Sequence, residues 1–171
     1  MASFSENDMD RLDWHLMQNG AVTLYFQTDI LEGDLAWLGE RGYRIQTIDC
    51  QELPAFYRQV SITFQFKENF GYDDWTGNLD ALNDAFRCLD IDSEAGLVLC
   101  FLRYDLLKAA NPHVAQGVLD IIEWHSRDYL LFGRRLLALV QSDDPRIQFG
   151  PLGARPAQWN RREWFDKNRG L

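Results

Sequence analysis

"DDWTGNLDALNDAF", residues Asp73 to Phe86, sets two aspartates, Asp80 and Asp84, four residues apart and places Asp73 and Asp74 just before them. Gly77 and Asn78 let the chain turn sharply, and Asn78 stands where a helix N-cap belongs. At 100° per residue Leu79, Leu82, Phe86 and Leu89 fall on one stripe, so Asp80, Asp84 and Arg87 point away from it. Like charges four apart on an exposed helix repel by about 0.2–0.5 kcal/mol. The helix dipole offsets part of that at Asp80, in the first turn. Folding alone gives little reason to pair these acids, which points to something outside the chain that wants them.

The surroundings deepen the charge. Between residues 73 and 94 the acids are Asp73, Asp74, Asp80, Asp84, Asp90, Asp92 and Glu94, against one base, Arg87. Trp75 stands beside them, and concentrated charge next to an exposed aromatic describes a steering patch with a contact anchor. The formal charge of the whole chain is −9, which disfavours nucleic acid and anionic membranes and favours a basic protein as partner.

Outward from this helix, the hydrophobic patterning alternates strands with helices. The first 19 residues read as a helix, "AVTLYF" (21–26) as a buried strand, the stretch from Asp29 to Gly42 as a second helix and "YRIQTIDC" (43–50) as a strand, together a β-α-β unit. Residues 52–66 read as a helix, 67–77 as a loop and 78–89 as the acidic helix, followed by the apolar strand "LVLCFLRY" (97–104). Asn111 as N-cap and Pro112 at the first helical position open a long helix to Phe132, and "RRLLALVQ" (134–141) is the last strand. A tail with Pro145, Pro151 and Pro156 leads to a short helix at 159–168 and is net basic. Strands that are apolar throughout imply a mainly parallel sheet covered by helices, so the class is α/β, with three to four strands expected.

With 171 residues, 46% hydrophobic and 13% aromatic, the chain is expected to form one domain with a real core. The longest apolar runs, 96–102 and 129–133, are far short of the ~20 residues that span a bilayer. The polar, acidic start "MASFSENDMDRLDW" lacks the pattern of a signal peptide, so a cytoplasmic protein is expected. Cys50, Cys88 and Cys100 have no CxxC spacing and read as reduced, buried thiols.

Motifs of chemistry are lacking: no glycine-rich phosphate loop, no G-x-S-x-G, no H-E-x-x-H. His15, His113 and His125 lie far apart, and His125 sits on an apolar helical face as a structural histidine. No cofactor, metal or catalytic residue is implied, and a binding protein is expected rather than an enzyme.

"WTGNLDALNDAF" resembles the signature of the barstar family, small intracellular inhibitors of barnase-type ribonucleases, an aromatic-G-x-N-x-D-A-L-x-D pattern in which a loop and the following helix plug the ribonuclease active site. The order of elements from 43 to 142 also resembles the family, leaving residues 1–42 as an N-terminal helix and β-α extension and 143–171 as a basic tail. The resemblance implies a barstar-like fold and a barnase-like ribonuclease or nuclease toxin as partner. It implies that Asp80 and Asp84 stand in for RNA phosphates, with Asp74, Trp75, Gly77, Asn78 and Asn83 completing the partner-binding surface. Three departures are visible: Gly77 is displaced by one position, Asn83 replaces an aromatic between the two acids, and Trp124, next to Glu123, falls where the family has a contact glutamate. A barstar-like adaptor for a partner other than a ribonuclease is the alternative.

Overall fold

A computed structural model describes residues 4–91 and 95–171; Asp92 and Glu94, counted above among the acids, lie outside the described residues. The strands are β1 Val22–Tyr25, β2 Tyr43–Asp49, β3 Gly96–Leu102, β4 Leu136–Gln141 and β5 Gln158–Trp159. The α-helices are α1 Leu12–Met17, α2 Thr28–Glu40, α3 Leu53–Thr63, α4 Phe66–Phe70, α5 Leu79–Arg87, α6 Tyr104–Ala110 and α7 Pro112–Leu131. The strands form one all-parallel sheet in the order β2-β3-β4-β1-β5.

The apolar strands dictate three layers. Successive side chains of a strand point to opposite faces, so β3 feeds two cores at once. Leu97, Leu99 and Phe101 pack with Phe56 of α3, Phe86 of α5 and Ile122 of α7. Val98 and Cys100 pack on the other face with Leu16 of α1 and with Leu31 and Leu38 of α2. Burying one such side chain fully contributes about 1.5–3 kcal/mol, and neither face can be left open. The strand expected at 21–26 therefore enters the sheet between β4 and β5, and α1 and α2 cover the face opposite α5.

Four stretches differ from the sequence reading. The first 19 residues hold a 3-10 turn, Glu6–Asp8, and the short α1, because Asp8 bonds back to the Ser5 backbone and Arg11 is extended, its guanidinium bridging Asp8 and the buried Asp13. The expected loop at 67–77 begins with α4, separated from α3 by Gln65 in the left-handed conformation and ended by Gly71. α6 was not anticipated; Arg103, left-handed at φ +57°, turns the chain out of β3 and into it, its N–H donating to Gln141 Oε1. The tail supplies the fifth strand and two 3-10 turns, Arg161–Glu163 and Asp166–Arg169, in place of a short helix. The Glu163 carboxylate draws it in by accepting the Phe26 and Gln27 N–H groups at the end of β1. Burial pushes the Glu163 carboxyl above its usual range, with those two backbone bonds opposing it.

Cys50 and Cys100 are buried as expected, and burial pushes the Cys100 thiol up to about 12. Cys88 is exposed, because it sits at the C-cap of α5 just past the helix's buried stripe. No described helix is long and apolar enough to cross a membrane.

Candidate protein-binding site

The entry to α5 is built by its first residues. Asn78 caps it, its Oδ1 accepting from the N–H groups of Asp80 at 3.0 Å and Ala81 at 3.2 Å. Trp75 clasps the same turn: its indole Nε1–H donates to the Asn78 carbonyl at 2.6 Å and its backbone N–H to Ser61 Oγ at 2.6 Å. Ser61 Oγ–H donates in turn to the Tyr57 carbonyl, tying the loop to α3. Gly77 is left-handed at φ +94°, and a Cβ there would stand 3.0 Å from Tyr57 Oη and 3.2 Å from Val114 Cγ2. The backbone passes too close for any other residue.

Trp75 is therefore not the exposed anchor expected from sequence. It is buried, 1% exposed, with its ring 5.3 Å from Tyr57 and 6.2 Å from Phe56. A tryptophan can be buried whole where its N–H finds an acceptor, and the Asn78 carbonyl supplies one.

The underside of α5 is fixed by α7. Leu79 lies over Gly117, Asn83 Oδ1 accepts from His125 Nε2 at 2.9 Å, and Phe86 stacks on His125 at 4.9 Å. Tyr129 Oη–H donates to the Phe86 carbonyl. His125 is thus the structural histidine the apolar face indicated. Burial, helped by the Arg87 charge, holds its imidazole below the usual value, against the pull of Asp128 and the Asn83 bond. Asn83, half-buried, spends its carbonyl oxygen inward on this bond.

The outer face carries the acids. Asp74, Asp80 and Asp84 are exposed, with Asn78 exposed at the helix start. Asp84 pairs with Arg87 at 3.2 Å and Asp73 with Lys67 at 2.9 Å, both at the surface. Among the described residues Asp74 and Asp80 make no salt bridge. On α7, Trp124 is 59% exposed, whereas Glu123 is buried, its Oε2 accepting the Ala21 N–H at 2.6 Å and its Oε1 3.3 Å from Arg127. Glu123 is thereby committed to holding the start of β1.

The carboxyl edge of the sheet, where α/β proteins commonly bind ligands, is closed by internal bonds: Arg103 pairs with Asp49 and Gln51, and Gln141 Nε2 donates to Asp143. Among the described residues no cluster of three or more histidines, cysteines or acids could hold a metal ion.

Sequence reasoning missed Ser61, Tyr57 and Gly117 as the supports of this site. Gly117 left a signal, since a glycine inside a long helix costs about 1 kcal/mol and marks a close approach.

The molecule is a three-layer α/β protein with an acidic helix buttressed on one face. The chain belongs to the barstar family: the family model "Barstar (barnase inhibitor)" matches residues 40–141, from the end of α2 to the end of β4. No curated protein and no solved structure matches the chain.

Proposed function

We propose that this protein inhibits a basic, barnase-like ribonuclease by laying α5 and the loop before it over the enzyme's active site. Asp80 and Asp84 take the place of RNA phosphates against the enzyme's cations, and Asp74, Gly77 and Asn78 form the rim of the contact. The observation that carries the reading is the pair of exposed carboxylates on a helix held from both its N-terminus and its underside, within a family of barnase inhibitors. Carboxylates held in advance cost little further ordering on binding, and their long-range field speeds encounter with a basic partner. In this reading Trp75 acts through the loop it clasps, and Asn83 by steadying α5.

The test is inhibition of a barnase-like ribonuclease by the full chain at low and high salt, repeated with Asp80→Ala and Asp84→Ala. Each loss of a charge-assisted hydrogen bond should weaken inhibition by roughly ten- to a hundredfold. Added salt should slow association. Unchanged tight inhibition by the double variant would sink the proposed contact.

One observation favours a second reading, an adaptor for a different partner. Where the family carries a contact glutamate, this chain exposes the large apolar face of Trp124, and Glu123 is buried. Absence of any binding by the parent chain to a barnase-like ribonuclease would move the weight there.

A further inference from the structure

A cleft of about 1050 Å³ opens on the sheet face covered by α1 and α2, away from the acidic helix. Every residue lining it lies between 12 and 37 or between 158 and 164, entirely outside the stretch that matches the barstar family. The segments added at both ends of the family core thus build a concavity of the size that small-molecule sites have.

Its lining has a definite chemistry. Three indoles, Trp37, Trp159 and Trp164, contribute to the walls. Trp37 and Trp159 are steadied by guanidinium groups over their rings, Arg41 at 3.7 Å and Arg169 at 4.4 Å, while Trp164 is half exposed. The charged side chains of the lining are Asp34, Arg161 and Arg162, so the cleft is locally cationic on a chain of formal charge −9. Arg162 is spent on the buried Asp34, which also accepts from Tyr25 Oη at 2.8 Å and Asn160 Nδ2 at 2.9 Å. Arg161 is exposed, and its guanidinium makes no hydrogen bond or ion pair among the described residues. The Gln158 side-chain amide, in the same lining, is likewise uncommitted and can both donate and accept.

We infer that this cleft binds a free mononucleotide, the base stacking on an indole and meeting the Gln158 amide at its edge, the phosphate meeting Arg161. Aromatic rings hold any base by its π-face, an amide reads a heterocycle's edge, and an unpaired guanidinium grips a phosphate through two parallel bonds. The three groups together suit a nucleotide, and the reading does not depend on ribonuclease inhibition.

Gly33 of α2 provides a clean test. It lines the cleft, and a Cβ there would meet nothing within 4 Å, so a leucine projects into the empty space without disturbing the helix. The full chain is titrated by calorimetry with the four nucleoside 5′-monophosphates, their nucleosides, inorganic phosphate and a short single-stranded oligonucleotide, with the indole N–H signals followed by NMR. At least one monophosphate should saturate a single site and shift the Trp37, Trp159 and Trp164 signals but not Trp75. Arg161→Ala should weaken it about tenfold. Gly33→Leu should abolish binding while its melting temperature is no lower than the parent's, since leucine is the better helix former, and any ribonuclease inhibition stays as in the parent. The proposal is overturned if no monophosphate saturates at millimolar concentration, or if Gly33→Leu binds as the parent does. It is equally overturned if the nucleoside or inorganic phosphate alone binds as tightly as the nucleotide, or if the oligonucleotide binds more tightly than any monophosphate.

Discussion

Gly117, in the middle of α7, faces Leu79 of α5 so closely that a Cβ at 117 would stand 2.3 Å from Leu79 Cδ1 and 3.2 Å from its Cγ. The contact sets how near the acidic helix lies to the body of the protein. Alanine is the better helix former by about 1 kcal/mol. Overpacking costs about 1–3 kcal/mol, and because Cγ is close as well, turning the end of the leucine gives no relief. Gly117→Ala should therefore lower stability by about 1 kcal/mol and weaken inhibition. Adding Leu79→Ala should return the helix gain, a coupling that a urea-denaturation cycle would measure. Strict additivity of the two changes would refute the contact.

A second expectation concerns Trp75. Trp75→Phe keeps an aromatic ring but removes the N–H that meets the Asn78 carbonyl, which then keeps only the Leu82 N–H. The lost bond and the space left by the smaller buried ring should cost about 1–3 kcal/mol in stability. Binding through Asp80 should fall too, although residue 75 itself is out of a partner's reach. A variant as stable as the parent would show that the clasp contributes nothing.

Adjacent residues on α7 should behave oppositely. Glu123→Ala removes the carboxylate that receives the Ala21 N–H, and should cost about 1.5–3 kcal/mol. Trp124→Ala, at the surface, should change stability by less than about 0.5 kcal/mol. Thermal unfolding of the two variants side by side decides this, and a binding defect in Trp124→Ala alone would locate the adaptor surface.

The pH dependence follows from His125. Its imidazole, buried against Phe86, titrates in the folded protein below its ordinary value of 6.5. Between the two values the unfolded chain binds more protons than the folded one, so stability is complete above about pH 6.5 and is lost as pH falls through that window. His125→Gln, which keeps a donor for Asn83, should be less stable at pH 7.5 but lose less on acidification to pH 5.5. Parallel losses in the two proteins would remove His125 as the cause.

Much of this architecture is legible in the amino-acid sequence. Apolar runs such as "GLVLCFL" have no polar face, and only a sheet covered on both sides accepts them. The phase of Leu79, Leu82 and Phe86 placed Asp80 and Asp84 outward, and Asn111 and Pro112 announced α7 within a residue. What escaped depended on partners distant in the chain. Nothing local distinguishes a tryptophan that anchors a partner from one whose N–H meets a carbonyl three residues on. The Gln158–Trp159 strand is two residues long, too short for any period, and exists because Thr23 and Leu24 offer it an edge. That Asn83, expected at the contact surface, also bonds His125, 42 residues away, left no local trace either.

The position of β1 has a consequence for how the chain is made. Its neighbours in the sheet are β4 and β5, more than 110 residues later in sequence, so the first strand made waits for partners made much later. Long-range pairing of this kind slows folding, and an unmated apolar strand can find another chain first. During synthesis Val22–Tyr25 is thus the segment most exposed to wrong pairing. The Glu163 carboxylate that closes over its end acts as a late latch, set about 137 residues after the strand it holds.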